Sequence, residues 1–419
     1  MKIQSMHLGH YRCFEDFKID FDDRLTVLVG TNGAGKTAVL DALGLFLKQA
    51  GHPTNRYASY QVPISDVSIG STIEDLKYRL EVQPGSMGDK TVQLRLIYKR
   101  TYQHNLNFAI EGNTPIKDIL AAENPLFVAY MAGRFVAENA SVLTQNAQST
   151  SAYAAYENNF NRTIDFASTI SWFDKVDADE ARAMRDSGQK DELPELKAVR
   201  EALSKALLGK YERPRMLGNP PELIVYQSGT DLAYKVSQIS DGYRAMLALV
   251  MDLARRMAQS REKSNPNESL LHVPAVVLID EVELHLHPSW QQTVLTTLMD
   301  IFPNTQFIVT THSPQVLTSI PQRHIRILSD GKAYSVNEQT QGAEASRLLK
   351  HVFGVDLRPN SLEIVKALKD YSRLVYDEKW DTPEAEKLKK LLYEHYSNDD
   401  PELMELELHI DNIKWEQGL

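Results

Sequence analysis

Residues 30–37 read Gly30-Thr31-Asn32-Gly33-Ala34-Gly35-Lys36-Thr37 and match the phosphate-loop pattern G-x-x-x-x-G-K-[ST] at every defined position. At average residue frequencies, a chance chain of this length would carry that pattern roughly 1–2% of the time. The flanks have the matching character. Leu25-Thr26-Val27-Leu28-Val29 enters as a buried strand, and a helix leaves with Val39, Leu40, Leu43 and Leu47 on one face. Glycines at 30, 33 and 35 let the backbone wrap closely, so that successive N–H groups and the helix N-terminus face a bound phosphate. Lys36 then supplies a point charge to β- and γ-phosphates, and the Thr37 hydroxyl is offered to Mg2+.

Three further segments carry chemistry that suits such a loop. Val276-Val277-Leu278-Ile279-Asp280-Glu281 is an apolar strand ending in two carboxylates. Beside a phosphate loop, Asp280 is expected to hold the Mg2+ and Glu281 to orient or deprotonate the attacking water. Thr310-Thr311-His312-Ser313-Pro314 follows another apolar strand, which sets His312 at the sheet edge where α/β proteins bind ligands. Its imidazole is in position there to touch the γ-phosphate or the water. Ile239-Ser240-Asp241-Gly242-Tyr243-Arg244 precedes an apolar helix through Met246, Leu249 and Leu253, a second anion-friendly helix start.

Away from these motifs the chain alternates between strand and helix patterns. Phe17–Phe21 reads as a half-buried strand. Leu76, Tyr78, Leu80 and Val82, then Val92, Leu94, Leu96 and Tyr98, alternate around a turn-rich connector at 83–89, which predicts an antiparallel hairpin. Residues 139–151 are rich in Ser, Asn, Gln and Ala and read as a loop. A helix is predicted from Pro194, with Leu196, Val199, Leu203 and Leu207 on one face and a stop at Gly209. Strands at 275–279 and 306–310 flank a helix through Trp290, Leu295 and Leu298, the pattern of a mainly parallel sheet covered on both faces. Near the end, Asp400 is an expected N-cap with Pro401 at the first helical position, followed by Leu403, Leu406, Ile410 and Ile413 at helical spacing.

Composition narrows the class. The 419 residues are 42% apolar and 24% charged, which excludes a disordered, collagenous or disulfide-framework chain. With Cys13 as the single cysteine, neither an intramolecular disulfide nor a cysteine-based zinc site can form. No run approaches the roughly 20 apolar residues of a membrane helix, and the start, Met1-Lys2-Ile3-Gln4-Ser5, is unlike a signal peptide, so no membrane association and a cytoplasmic home are expected. The net charge of −10 argues against a uniformly basic nucleic-acid binder. Residues 361–419 hold 15 Asp+Glu against 8 Lys+Arg, so most of the excess sits in this end, which reads as a protein-contact or solvated segment.

In this order the motifs resemble the nucleotide-binding head of the ABC superfamily, and more narrowly the SMC-like and OLD-like ATPases. Leu8-Gly9-His10-Tyr11-Arg12-Cys13-Phe14 is similar to that family's N-terminal strand and F-R-x-F element, which implies Arg12 at the nucleotide. Residues 30–37 resemble its Walker A, 239–243 its signature, 276–281 its Walker B, and His312 its switch histidine. The fold this implies is α/β: a mixed sheet flanked by helices, an N-terminal antiparallel β element, a helical insertion and a helical C-terminal extension. The implied divisions are 1–135 and 222–345 for the two parts of the ATPase head, 136–221 for the insertion and 346–419 for the acidic extension. The resemblance also implies ATP and Mg2+ as ligands and a composite site. Two heads would pair head to tail, possibly within a higher oligomer, with Ser240 and Gly242 acting in trans on the γ-phosphate.

His287, in Leu284-His285-Leu286-His287-Pro288, stands where many relatives carry a D-loop aspartate, and the His-x-His pair reads as D-loop structure rather than a metal site. Gln61 and Asp66 both fall in the Q-loop region, and the choice between them stays open. Arg134 marks the expected edge between head and insertion. The 204 positions from Lys36 to Ser240 are too few for a long coiled coil, and no Asp-x-Asp follows residue 330, so a fused nuclease is not expected.

The nearest resemblance is to the PtuA-type ATPases of bacterial Septu and retron-associated anti-phage systems. It implies a separate HNH-type nuclease as partner, with DNA or a retron RNA/DNA as a further ligand. The alternative is a DNA-binding structural ATPase of the recombination-repair type that has no nuclease partner. A transporter subunit is disfavoured by the insertion, the Thr-His-Ser-Pro switch and the tail.

Overall fold

The computed structural model describes residues 1–50, 68, 77–83, 92–100, 106–112, 126–132, 155, 166–187, 192–218, 222–260, 269–397 and 399–417. The connector at 84–89, the expected loop at 139–151, and Gln61, Asp66 and Arg134 lie outside them. Two compact units divide the chain, Met1–Leu348 and Leu349–Leu419.

The larger unit contains fourteen described strands: β1 (Lys2–Tyr11), β2 (Phe14–Asp20), β3 (Leu25–Val29), β4 (Lys77–Gln83), β5 (Val92–Arg100), β6 (Leu106–Gly112), β7 (Leu126–Tyr130), β8 (Tyr211–Leu217), β9 (Glu222–Gln227), β10 (Ala233–Lys235), β11 (Ala275–Ile279), β12 (Thr305–Thr310), β13 (Ile325–Ser329) and β14 (Lys332–Ser335). One antiparallel sheet runs β2-β1-β4-β5-β6. The alternating pattern sets its register, with Tyr78 opposite Leu96, Leu80 opposite Leu94 and Val82 opposite Val92.

The six-stranded sheet runs β14-β13-β3-β12-β11-β7, and only the β13–β14 pair is antiparallel. Strands β3, β7, β11 and β12 are buried along their whole length, as strands of a parallel sheet covered on both faces are. The order inserts β12 between β3, which feeds the phosphate loop, and β11, which ends in Asp280. All three C-terminal ends therefore share one edge.

One apolar core joins the two sheets to the helix Lys36–Ala50. Leu8, Phe14 and Phe17 of the antiparallel sheet pack with Val39 and Leu43 of the helix and Leu28, Val276 and Ile308 of the parallel sheet. Each fully buried side chain of this size contributes about 1.5–3 kcal/mol relative to exposure. Gln306 adds a polar tie between β12 and β1: its amide donates to Ile3 O at 2.7 Å and accepts from Ile3 N at 2.8 Å.

The helices Phe166–Ser187 and Pro194–Ala206 lie in the stretch read as an insertion. The second carries Leu196, Val199 and Leu203 inward and packs on the helix Asp241–Ser260. Strand β9 pairs with β8 on one side and β10 on the other in a third sheet, so the expected division between 221 and 222 falls between two paired strands, β8 and β9. The helix expected through Trp290, Leu295 and Leu298 is broken into Pro288–Gln291 and Val294–Ile301. Thr293 stays in the right-handed region but with an opened φ of −118°, and its N–H turns to Trp290 O at 3.0 Å, a tighter i to i+3 bond.

The smaller unit is a helical bundle built on Glu363–Tyr376, Pro383–His395 and Pro401–Gln417. Leu368, Tyr371, Val375, Leu392, Leu403, Leu406 and Ile410 form its own core. The helix Pro401–Gln417 starts as its sequence predicts, with Asp400 Oδ1 accepting from the N–H groups of Glu402 (3.1 Å) and Leu403 (3.3 Å).

Candidate functional site

The phosphate loop takes the backbone conformations its glycines permit. Gly33 and Gly35 have φ of 82° and 96°, in the left-handed region. A Cβ on Gly35 would lie 2.3 Å from Phe14 Cζ and 2.9 Å from Cys13 Sγ, so this position has no room for a side chain. At Gly33 nothing lies within 4 Å, which leaves the outer face of the loop open.

Lys36 is buried, and its Nζ donates to the carbonyls of Gly30 (2.9 Å) and Thr31 (3.0 Å) within its own loop. Burial pushes its ammonium below the ordinary lysine value, while Asp280, Glu281 and Glu283 pull it back up. Thr37 Oγ1 donates to Asp280 Oδ2 at 3.0 Å, across 243 positions of sequence. The other carboxylate oxygen of Asp280 accepts from Thr310 Oγ1 at 2.5 Å. The phosphate loop and the carboxylate end of β11 are thus one constellation. Its neighbouring hydroxyl and carboxylate oxygens are the hard donors that a Mg2+ ion takes.

Glu281 follows in a left-handed conformation (φ 49°) that is uncommon for a residue with a side chain. Its N–H donates to Thr310 Oγ1 at 2.8 Å. Backbone strain of this kind is stored where the surrounding structure holds it, often at active sites. His312 is exposed at the end of β12, with its backbone N–H donating to Glu283 Oε1 at 2.6 Å.

Arg12 is pinned by an ion pair of 2.6 Å to Asp41 on the helix that leaves the phosphate loop. Ser240 is exposed immediately before the helix Asp241–Ser260, and Arg244 pairs with Asp241, holding that carboxyl below its ordinary range. No hydrogen bond among the described residues links Ser240 or Gly242 to loop 30–37. Gly242 instead faces the turn after Glu281: a Cβ there would lie 3.2 Å from His285 O. His287 caps the helix Pro288–Gln291, its side chain accepting from Ser289 N. Among the described residues no cluster of three or more His, Cys, Asp or Glu is arranged for a metal ion.

Sequence reading missed two contributors. Thr310 binds both Asp280 and the Glu281 backbone, and its only signal was a polar residue closing an apolar strand. Glu283 accepts from Thr311 and His312, and nothing in its sequence context marks it.

A mostly parallel sheet with a phosphate loop at the end of β3 and a carboxylate pair at the end of β11 has the architecture of a P-loop ATPase head, and the order of its motifs resembles the ABC-type, SMC-like heads. Family comparison finds ATPase-type domains. Residues 1–98 match the family described as "AAA ATPase domain", and residues 139–318 match "AAA domain, putative AbiEii toxin, Type IV TA system".

Among individual proteins, the chain is similar to the "Retron Ec83 probable ATPase" of Escherichia coli, 28% identical over 99% of this chain and 88% of the relative. It is also similar to the "Retron Vc95 probable ATPase" of Vibrio cholerae, 23% identical over 94% of this chain and 88% of that one. The "Septu protein PtuA" of Bacillus thuringiensis is 21% identical over 90% of each chain. Among the described residues, no helix is long and apolar enough to cross a membrane.

Proposed function

We propose that this chain is a cytoplasmic ATP-hydrolysing regulator of a bacterial anti-phage complex, controlling a separate HNH-type nuclease. The observation that carries the ATP reading is the 3.0 Å bond between Thr37 and Asp280, with the buried Lys36 amine held in the same loop. The retron and Septu names of its relatives support the setting.

In this reading, Gly30, Thr31, Asn32, Gly33, Ala34 and Gly35 present backbone N–H groups to the phosphates. Lys36 leaves its own carbonyls for the β- and γ-phosphate oxygens, and Arg12 flanks the nucleotide. Mg2+ would be held by Thr37 and Asp280, and it neutralises phosphate charge when bound. Glu281 takes a proton as the water oxygen bonds to the γ-phosphorus. The bond from that phosphorus to the bridging oxygen breaks, leaving ADP and inorganic phosphate. His312 donates to the γ-phosphate. Ser240, which is exposed, and Gly242, which is half-buried, act on the nucleotide of a second copy in a head-to-tail dimer.

The test is ATP turnover by the purified chain, together with co-purification of its genetic neighbour's product and protection of cells from phage. An active ATPase that retains no nuclease and protects nothing overturns the defence role. Salt-sensitive DNA binding by the chain alone would favour the recombination-repair alternative.

A further inference from the structure

Both carboxylate oxygens of Glu283 are engaged by the loop that carries His312. Oε2 accepts from Thr311 Oγ1 at 2.7 Å, and Oε1 accepts from the His312 N–H at 2.6 Å. Bonds to an ionised acceptor are roughly twice as strong as neutral ones. Thr311 is fully buried, its N–H donates to Leu28 O at 3.1 Å, and its hydroxyl also accepts from Ser313 N at 3.0 Å. From the same turn region, Gln291 accepts from Ser313 Oγ at 2.6 Å and donates to Leu286 O at 2.8 Å. The turn at 285–287, against which Gly242 packs, is therefore bonded on its other side to loop 311–313.

We infer that Glu283 is a positioning residue: it fixes the backbone at Thr311 and His312 so that the exposed imidazole meets the terminal phosphate. This deepens the ATP-hydrolysis reading above and rests on it.

The test is steady-state ATP turnover by the full chain in two backgrounds. Glu283→Gln, which keeps the shape and loses one acceptor, is expected to lower kcat about 10- to 100-fold, the scale of a small misplacement of a reacting group. KM for ATP should change much less than kcat, because the loss falls mainly on the placement of His312. In a His312→Ala background the same substitution should change kcat by less than about twofold, because the group it acts through is already gone. Thr311→Val keeps the shape and removes one of the two Glu283 bonds, together with the acceptor of the Ser313 N–H. It should show the same pattern with a loss of about 3- to 10-fold, and it serves if Glu283→Gln does not fold by thermal melting. Equal losses in both backgrounds, or wild-type kcat in the folded variants, overturn the inference while leaving the ATPase reading standing. A wild-type chain with no turnover overturns both.

Discussion

Tyr130 and Asp252 meet in the interior: the phenol donates to Asp252 Oδ2 at 2.9 Å, while the Tyr130 carbonyl accepts the Asp280 N–H at 2.8 Å. One residue of β7 thus links the helix Asp241–Ser260 to the carboxylate end of β11. Asp252 is 1% exposed and also receives Thr169 Oγ1 (3.0 Å), Arg255 (2.6 Å) and Arg256 (2.7 Å). Burial alone would raise its carboxyl, but the two guanidinium groups overcome that and hold it far below the ordinary value. Burial pushes the Tyr130 phenol well above its usual range, so it stays a neutral donor.

Asp252→Ala leaves two buried guanidinium groups without their counter-charge and should destabilise the fold by about 3–5 kcal/mol. Tyr130→Phe removes one donor of four and should cost about 1 kcal/mol. Urea unfolding followed by tryptophan fluorescence measures both. A shift under about 0.5 kcal/mol for Asp252→Ala would place the cluster outside the energetics of folding.

The same carboxylate predicts an acid limit. Its folded value lies below the unfolded value of about 3.9, so its contribution is complete above that pH. As pH falls through the depressed folded value, the contribution is lost. The urea midpoint should therefore be insensitive to Asp252 from pH 8 to about 5 and decline below about 4, and Asp252→Ala should decline less steeply.

Gly35→Ala should abolish nucleotide binding, because the new methyl meets Phe14 and Cys13 in a backbone conformation that already disfavours it. Gly33→Ala carries conformational strain without a clash and should cost about 1 kcal/mol with binding retained. Titration with a fluorescent ATP analogue separates the two, and equal affinities would count against the loop geometry.

Lys36→Ala should lose nucleotide binding outright. Glu281→Gln should bind ATP normally, hydrolyse it about 10²–10⁴ times more slowly, and accumulate as a dimer on size exclusion. Wild-type turnover in Glu281→Gln would assign the base elsewhere.

In the smaller unit, Arg358 donates to both Asp400 oxygens at 2.8 Å and pairs with Glu402 at 3.0 Å. Burial works to raise the Asp400 carboxyl, but Arg358 and the capped N–H groups hold it below its ordinary value. Asp400→Ala loses cap and ion pair together and should cost about 1–2 kcal/mol. Glu402→Ala loses an exposed pair and should cost under about 1 kcal/mol, both read from thermal melts by circular dichroism.

The phosphate loop, the buried strand that feeds it and the antiparallel pairing of β4 with β5 were legible in the sequence, because each rests on local spacing: glycines where the backbone turns, period two where one face is buried. The break after Trp290 was not, since Val294, Leu295 and Leu298 continue a helical pattern across it and the φ of Thr293 opens only in its tertiary setting. The acidic end, open as contact or solvated segment, folds around its own core because its apolar residues find partners on three different helices. Sequence by itself determined which residue types could hold a triphosphate and that two carboxylates would end a buried strand. Only the tertiary structure decided that Thr310 and Thr37 share Asp280, that Glu283 holds the His312 loop, and that Asp252 is paired from three elements. Hydrogen bonds between segments distant in the chain depend on the packed distances between them, which residue spacing does not encode.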